Sequence, residues 1–122
     1  MITMRRVLID ACGWVAVIEA GINIDKALLE CSGIRNIAIV KSVMTELEAL
    51  PGNYLLGILS AKAEVVEAEK EVGHHTDDQL FSIAQKENWP VLTVDTEFKR
   101  RLSIANLPWI EVSGRSHLRL VD

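Results

Sequence analysis

Apolar residues fall in short runs separated by polar, glycine or proline breaks, and the runs alternate between strand-like and helix-like spacing. Arg5 to Asp10 (RRVLID) predicts a buried strand, because Val7-Leu8-Ile9 is rich in β-branched residues and too short for a helix. The small-residue break Ala11-Cys12-Gly13 follows it. Trp14 to Ala20 predicts a short helix closed by Gly21, and Asn23 or Asp25 caps a second helix running to about Cys31. Asn36 to Val40 (NIAIV) predicts the second strand. From Ser42, the recurrence of Val43, Leu47 and Leu50 predicts a helix that Pro51-Gly52 stops. Asn53 caps a further helix to about Ala63, Glu64 to Glu69 reads as a partly exposed strand or extended segment, and Gly73 to Thr76 as a polar loop. Thr76 is expected to cap a helix that shows Leu80, Ile83 and Ala84 on one face and ends near Asn88. After Pro90 comes the strongest strand signal, Val91 to Asp95 (VLTVD), then a basic helical turn from Phe98 to Leu102 and closing strands at Trp109 to Val112 and Leu118 to Val121.

Strands alternating with helices of this length predict an α/β fold: a three-layer α/β/α sandwich around a central, mainly parallel sheet, with right-handed crossovers. The 122 residues, 49% hydrophobic and 25% charged, suffice for one core, so a single domain over 1–122 is expected. No run approaches the roughly 18 to 20 apolar residues of a membrane span, and the first six residues lead into a strand without a signal-peptide pattern. A cytoplasmic protein with no membrane partner is the expectation. Cys12 and Cys31 are too few for a disulfide scaffold and lack zinc-site spacing, so both read as reduced thiols.

The formal net charge of −4 does not announce a nucleic-acid binder. The acidity is local, however: residues 64–78 hold six acids and one base, which leaves twelve bases against eleven acids elsewhere. Lys99-Arg100-Arg101, Arg115 and Arg119 lie in the last quarter of the chain, where they can form a patch.

In open α/β sheets, ligands bind beyond the carboxyl ends of the strands. Two predicted strands end in acids, Asp10 and Asp95; Glu46 lies one turn into the helix after the second strand, and Asp77-Asp78 open the helix before the fourth. Carboxylates converging on one cleft repel each other unless a cation joins them, which suits a hard divalent ion, Mg²⁺ or Mn²⁺. Such ions bridge carboxylates to phosphates and stabilise the leaving oxygen in phosphodiester cleavage. Bland readings compete at each position. Asp10 and Asp95 can simply cap the helices that follow them, Glu46 can be a solvated helix residue with Glu48 as an equal candidate except for register, and Asp77 or Asp78 can serve the helix dipole. His74 and His75 read as solvated loop histidines, Cys12 as a small buried residue, and Trp14, Trp89 and Trp109 as core or edge packing. Lys99-Arg100-Arg101 is placed to meet a phosphate chain entering the cleft.

The segments VLIDACGWVAVIEAG, VMTELEAL, HTDDQLFSIAQ, VLTVDTEFKRRL and WIEVSGRSHLRL, in this order, resemble the PIN-domain nucleases over nearly the whole chain. Within them, the likeness is to the archaeal branch similar to the Fcf1/Utp23-like and VapC-like proteins. The resemblance implies that Asp10 is the first-strand acid, Glu46 the acid of V-x-x-E-L, Asp77 the acid of D-x-x-L-x-x-x-A and Asp95 the acid of T-x-D. Asp78 shares the metal role with them, and Thr93 orients the acids or a water. Many relatives carry Ser, Thr or Asn close after the first acid; Ala11 and Cys12 stand there instead, which removes an oxygen ligand. The implied function is an Mg²⁺- or Mn²⁺-dependent endoribonuclease acting on single-stranded or structured RNA, with Lys99, Arg100, Arg101, Arg115 and Arg119 guiding the backbone. Two roles share that chemistry: a toxin-type RNase held by an antitoxin protein, and an RNase processing ribosomal precursors. The rival is a catalytically silent PIN-like scaffold that binds RNA or protein. A homodimer through the Trp14 to Leu29 helices is also expected.

Overall fold

The structure, a computed structural model, describes residues 4–51 and 63–122. The chain runs β1 (Arg6–Ile9), α1 (Ala11–Glu19), α2 (Ile24–Ser32), β2 (Asn36–Val40), α3 (Lys41–Glu48), β3 (Ala63–Val66), a 3₁₀ turn (Lys70–Val72), α4 (Thr76–Glu87), β4 (Val91–Leu92), α5 (Thr96–Ile104), β5 (Trp109–Ser113) and β6 (His117–Val121). The helix expected from Asn53 lies outside the described residues, and Ala63 begins β3.

The six strands form one sheet in the order β3-β2-β1-β4-β5-β6, parallel throughout except for the β5–β6 hairpin. The chain winds outward from β1 through β2 to β3, then crosses back to pair β4 with the other side of β1. With right-handed connections this reversal puts the later helices on the opposite face from α1 to α3, which gives the three layers expected. It also places the topological switch point, where α/β sheets hold their ligands, between the carboxyl ends of β1 and β4.

The strands at the switch point are buried because they have helices on both sides. Val7, Leu8, Ile9, Val91, Leu92 and Ile110 are inaccessible, and Trp14, Leu28, Val43, Leu80, Phe98 and Leu102 close over them from the helices. Trp14 is only 1% exposed, so the apolar surface of α1 and α2 is represented by Leu29 rather than by the indole. Trp89 is buried too, and Trp109 half-buried, its indole donating to Glu111 at 2.9 Å.

Several elements depart from expectation. The strand predicted to reach Asp95 ends at Leu92, level with the end of β1 at Ile9. Thr93 still donates its N–H to Ile110 O at 3.1 Å. Thr76 does not cap α4: His75 holds that position without a side-chain bond. Helix α3 ends before Leu50, which is exposed. Helix α2 is capped by Asn23.

No helix among the described residues is long and apolar enough to cross a membrane.

Candidate active site

Asp10 follows β1 directly and is 6% exposed. Its Oδ1 accepts from Gly13 N at 2.7 Å, so it caps α1. Its Oδ2 accepts from the Thr93 hydroxyl at 2.5 Å. The same Thr93 oxygen accepts from Asp95 N at 3.1 Å, so one hydroxyl ties the end of β1 to the end of β4. Asp95 in turn caps α5, its Oδ1 accepting from Glu97 N at 2.9 Å and Phe98 N at 3.3 Å. Both acids are therefore helix caps at the carboxyl-end edge of the sheet, and capping fixes their carboxylates in place.

The approach of α1 to β4 depends on Gly13. A Cβ there would stand 2.5 Å from Leu92 O and 2.9 Å from Asp10 Oδ1, so a side chain would push apart the two elements the site joins. Cys12 is half-buried, and its Sγ donates to Asp10 Oδ1 at 3.2 Å while lying 3.7 Å from Thr93 Oγ1. Burial first, and then the Asp10 charge, push its thiol up, which keeps it protonated. The pattern of residue types gave no sign of these two contacts; only the small size of positions 11 to 13 hinted at close packing.

Glu46 and Asp77 reach the same edge from α3 and α4. Glu46 Oε1 accepts from the Thr76 hydroxyl at 2.9 Å, which explains why Thr76 is not a cap: its oxygen is spent between helices. A second tie, Ser42 Oγ donating to Gln79 Oε1 at 2.8 Å, locks the same pair of helices.

Partial desolvation pushes the Asp77 carboxyl above its ordinary value, repulsion from Asp95 and then Glu46 pushes it further, and Arg101 relieves this in part. Burial also raises Asp10, against the hydrogen bonds from Thr93, Gly13 and Cys12, and Asp77 adds a repulsive contribution. Asp77 is thus the acid that lies within electrostatic reach of each of the other three, Asp10, Glu46 and Asp95. Asp78 is turned toward α5, accepting from Arg101 Nη1 at 2.7 Å.

The basic residues divide into two groups. Arg101 pairs with Asp78 and lies 4.2 Å over the Phe81 ring, and Arg100 pairs with Glu97 at 3.3 Å; both line the cleft beside Asp77. Lys99 and Arg119 instead converge on Glu111, at 3.3 and 2.6 Å, and Arg115 sits exposed in the β5–β6 turn.

Asp77 is the shared wall of two concavities. One, of about 360 Å³, is lined by Glu46, His74, His75, Thr76 and Asp77. The other, of about 350 Å³, is lined by Asp77, Glu97, Phe98, Arg100, Arg101 and Ile104.

The donors at this edge are hard oxygens whose mutual repulsion a cation would remove, so they suit Mg²⁺ or Mn²⁺ in kind. Among the described residues, no three His, Cys, Asp or Glu side chains are gathered closely enough to form a ready-made cage. That looseness agrees with an ion that keeps several waters and takes one or two carboxylates plus substrate oxygens.

This architecture is a PIN-like fold. The solved structure of the PIN domain endonuclease Utp24 superposes on it with a TM-score of 0.78 at 23% identity, over 94% of this chain and 90% of that one. Neither a protein-family model nor a curated protein sequence matches the chain.

Proposed function

We propose that the protein is an Mg²⁺- or Mn²⁺-dependent endoribonuclease that hydrolyses phosphodiester bonds of single-stranded RNA, with Asp10, Glu46, Asp77 and Asp95 as its metal-holding and catalytic acids. The observation that supports this reading is the placement of Asp10 and Asp95 beside the switch point of a PIN-like sheet, with Asp77 feeling Asp95, Glu46 and Asp10. The similar structure is of an endonuclease, which supports the reaction class. Arg100 and Arg101, beside the acids, support a polyanionic substrate.

A divalent cation bound there would supply positive charge to the phosphate and lower the pKa of water it holds. The chain's own residues do the remaining work. Thr93, Gly13 and Cys12 hold Asp10 rigid, so its carboxylate does not reorganise as charge develops. Thr76 orients Glu46. Asp95 and Glu46 are exposed, and either can take the proton of the attacking water. Arg100 and Arg101 hold the phosphate chain in line, and Asp78 keeps Arg101 pointed there.

The test is cleavage of a labelled single-stranded RNA in Mn²⁺, Mg²⁺ or EDTA by the wild type, Asp10→Asn and Asp95→Asn, purified identically. Because Asn caps a helix as well as Asp does, both variants keep their caps and lose the charge, and at position 10 the amide nitrogen in place of Oδ2 also reverses the bond with the Thr93 hydroxyl. Cutting that needs both the metal and the acids is the expected outcome. RNA bound but uncut in every metal would favour the scaffold.

A further inference from the structure

We infer that the cleft takes an RNA strand running through on both sides of Asp77, with the His74–His75 loop holding a nucleotide on one flank and Ile104 with Arg100 holding one on the other. This rests on the nuclease reading above and adds the groups that recognise the substrate beside the bond that is cut.

Two observations lead to it. Asp77 does not lie at the end of a blind pocket: it is the wall common to two open concavities of nearly equal size, so a chain reaching it from one side has a path onward to the other. The two flanks also differ in chemistry. On one side, two exposed imidazoles stand beside Glu46 and Thr76. An imidazole offers a flat ring for a nucleobase and ring nitrogens for its polar edge, the contacts by which single-stranded RNA is usually read. On the other side, Ile104 is 76% exposed, the most exposed large hydrophobic residue among those described. It lies four residues after Arg100 and three after Arg101, so on α5 the three side chains share one face. An aliphatic surface next to two guanidinium groups matches a nucleotide, whose base or ribose is apolar on its face and whose phosphate is anionic.

Neither feature has a structural task that accounts for it. His74 and His75 make no hydrogen bond through their side chains among the described residues, and Ile104 projects from the last turn of its helix instead of into the core. A strand held on both flanks would be cut internally, as the proposed endonucleolytic reaction requires.

The experiment compares the wild type with a His74→Ala/His75→Ala double variant and with Ile104→Ser. The readouts are steady-state cleavage of a single-stranded RNA of about a dozen nucleotides and its binding by fluorescence anisotropy in an Asp10→Asn background. All these positions are exposed, and circular dichroism confirms folding; His74→Gln/His75→Gln and Ile104→Thr serve as gentler replacements. Each flank variant is expected to raise KM and the dissociation constant at least fivefold while kcat moves less than twofold. The products should also shift, because each variant removes nucleotide preference on one side of the cut only. If both variants cut and bind like the wild type while Asp95→Asn abolishes cutting, the flank assignment is overturned and the nuclease reading stands. If the wild type neither binds nor cuts any single strand in either metal, the nuclease reading fails, and the flank assignment with it.

Discussion

Asp10 shows at the scale of one residue how the site trades stability for chemistry. A carboxylate buried beneath α1 is held by donors from Gly13, Thr93 and Cys12, yet burial outweighs them and its pKa rises in the fold. The folded protein therefore binds this proton more tightly than the unfolded chain does. Stability from this group is full below the ordinary carboxylate value and falls as pH rises through the raised value. Asp77 has the same sign. In metal-free buffer at pH 7, Asp10→Asn is accordingly expected to melt no lower than the wild type, with a flatter dependence of Tm on pH from about 4 upward. A Tm about 5 °C or more below the wild type would mean that the charge supports the fold. Gly13 is the opposite case, since Gly13→Ala forces a methyl group against Leu92 O and Asp10 Oδ1. It should cost about 2–3 kcal/mol in urea unfolding. None of the Asp10 partners except Thr93 was legible as such, because Cys12 and Gly13 act through proximity and not through residue type.

At the scale of elements, the hydrophobic pattern marks β1, β2, β4, α3 and α4, since buried strands of three apolar residues and helices with i, i+4 spacing have distinct patterns; Ala11-Cys12-Gly13, which reads as a break, is instead the first turn of α1, and the 3₁₀ turn at Lys70–Val72 carries no such pattern. Their ends were less legible. Val91–Leu92 stops level with the end of β1, a long-range match, and Thr76 reads as a cap although its hydroxyl is drawn to Glu46 on another helix. The basic run after Asp95 was correctly seen as helical, but partners from distant strands sort it. Glu111 on β5 accepts from the Trp109 indole and pairs with Arg119 and Lys99, joining α5, β5 and β6. The bond from Trp109, with help from Arg119 and Lys99, holds the Glu111 carboxyl below its usual range despite burial. Its contribution is thus present above the ordinary carboxylate value and is lost as pH falls through the depressed one. Glu111→Ala should cost about 1–3 kcal/mol at pH 7 and little at acid pH, as urea unfolding at both values would show. A cost that does not change with pH would assign the loss to packing alone.

For the molecule as a whole, the sheet order explains why residues 10, 46, 77 and 95, spread over most of the chain, meet at one edge. The return of the chain from β3 to β4 makes a switch point between β1 and β4, and α3 and α4 bring Glu46 and Asp77 beside it. That the four acids share an edge was legible from strand ends and helix starts; that Asp77 divides the cleft in two was not, because it depends on how α4 and α5 face each other. With a net charge of −4 and several bases tied to internal acids, RNA binding should be weak and should fall with salt. The central claim is that the four carboxylates form one cation site. Titration of Mn²⁺ into the wild type and into Asp77→Asn, followed by electron paramagnetic resonance of the free ion, tests it most directly. Saturable binding by the wild type, weakened at least tenfold by removal of the one charge that Asp95 and Glu46 both face, is the predicted result. Equal binding by the two proteins, or none by the wild type, would contradict it.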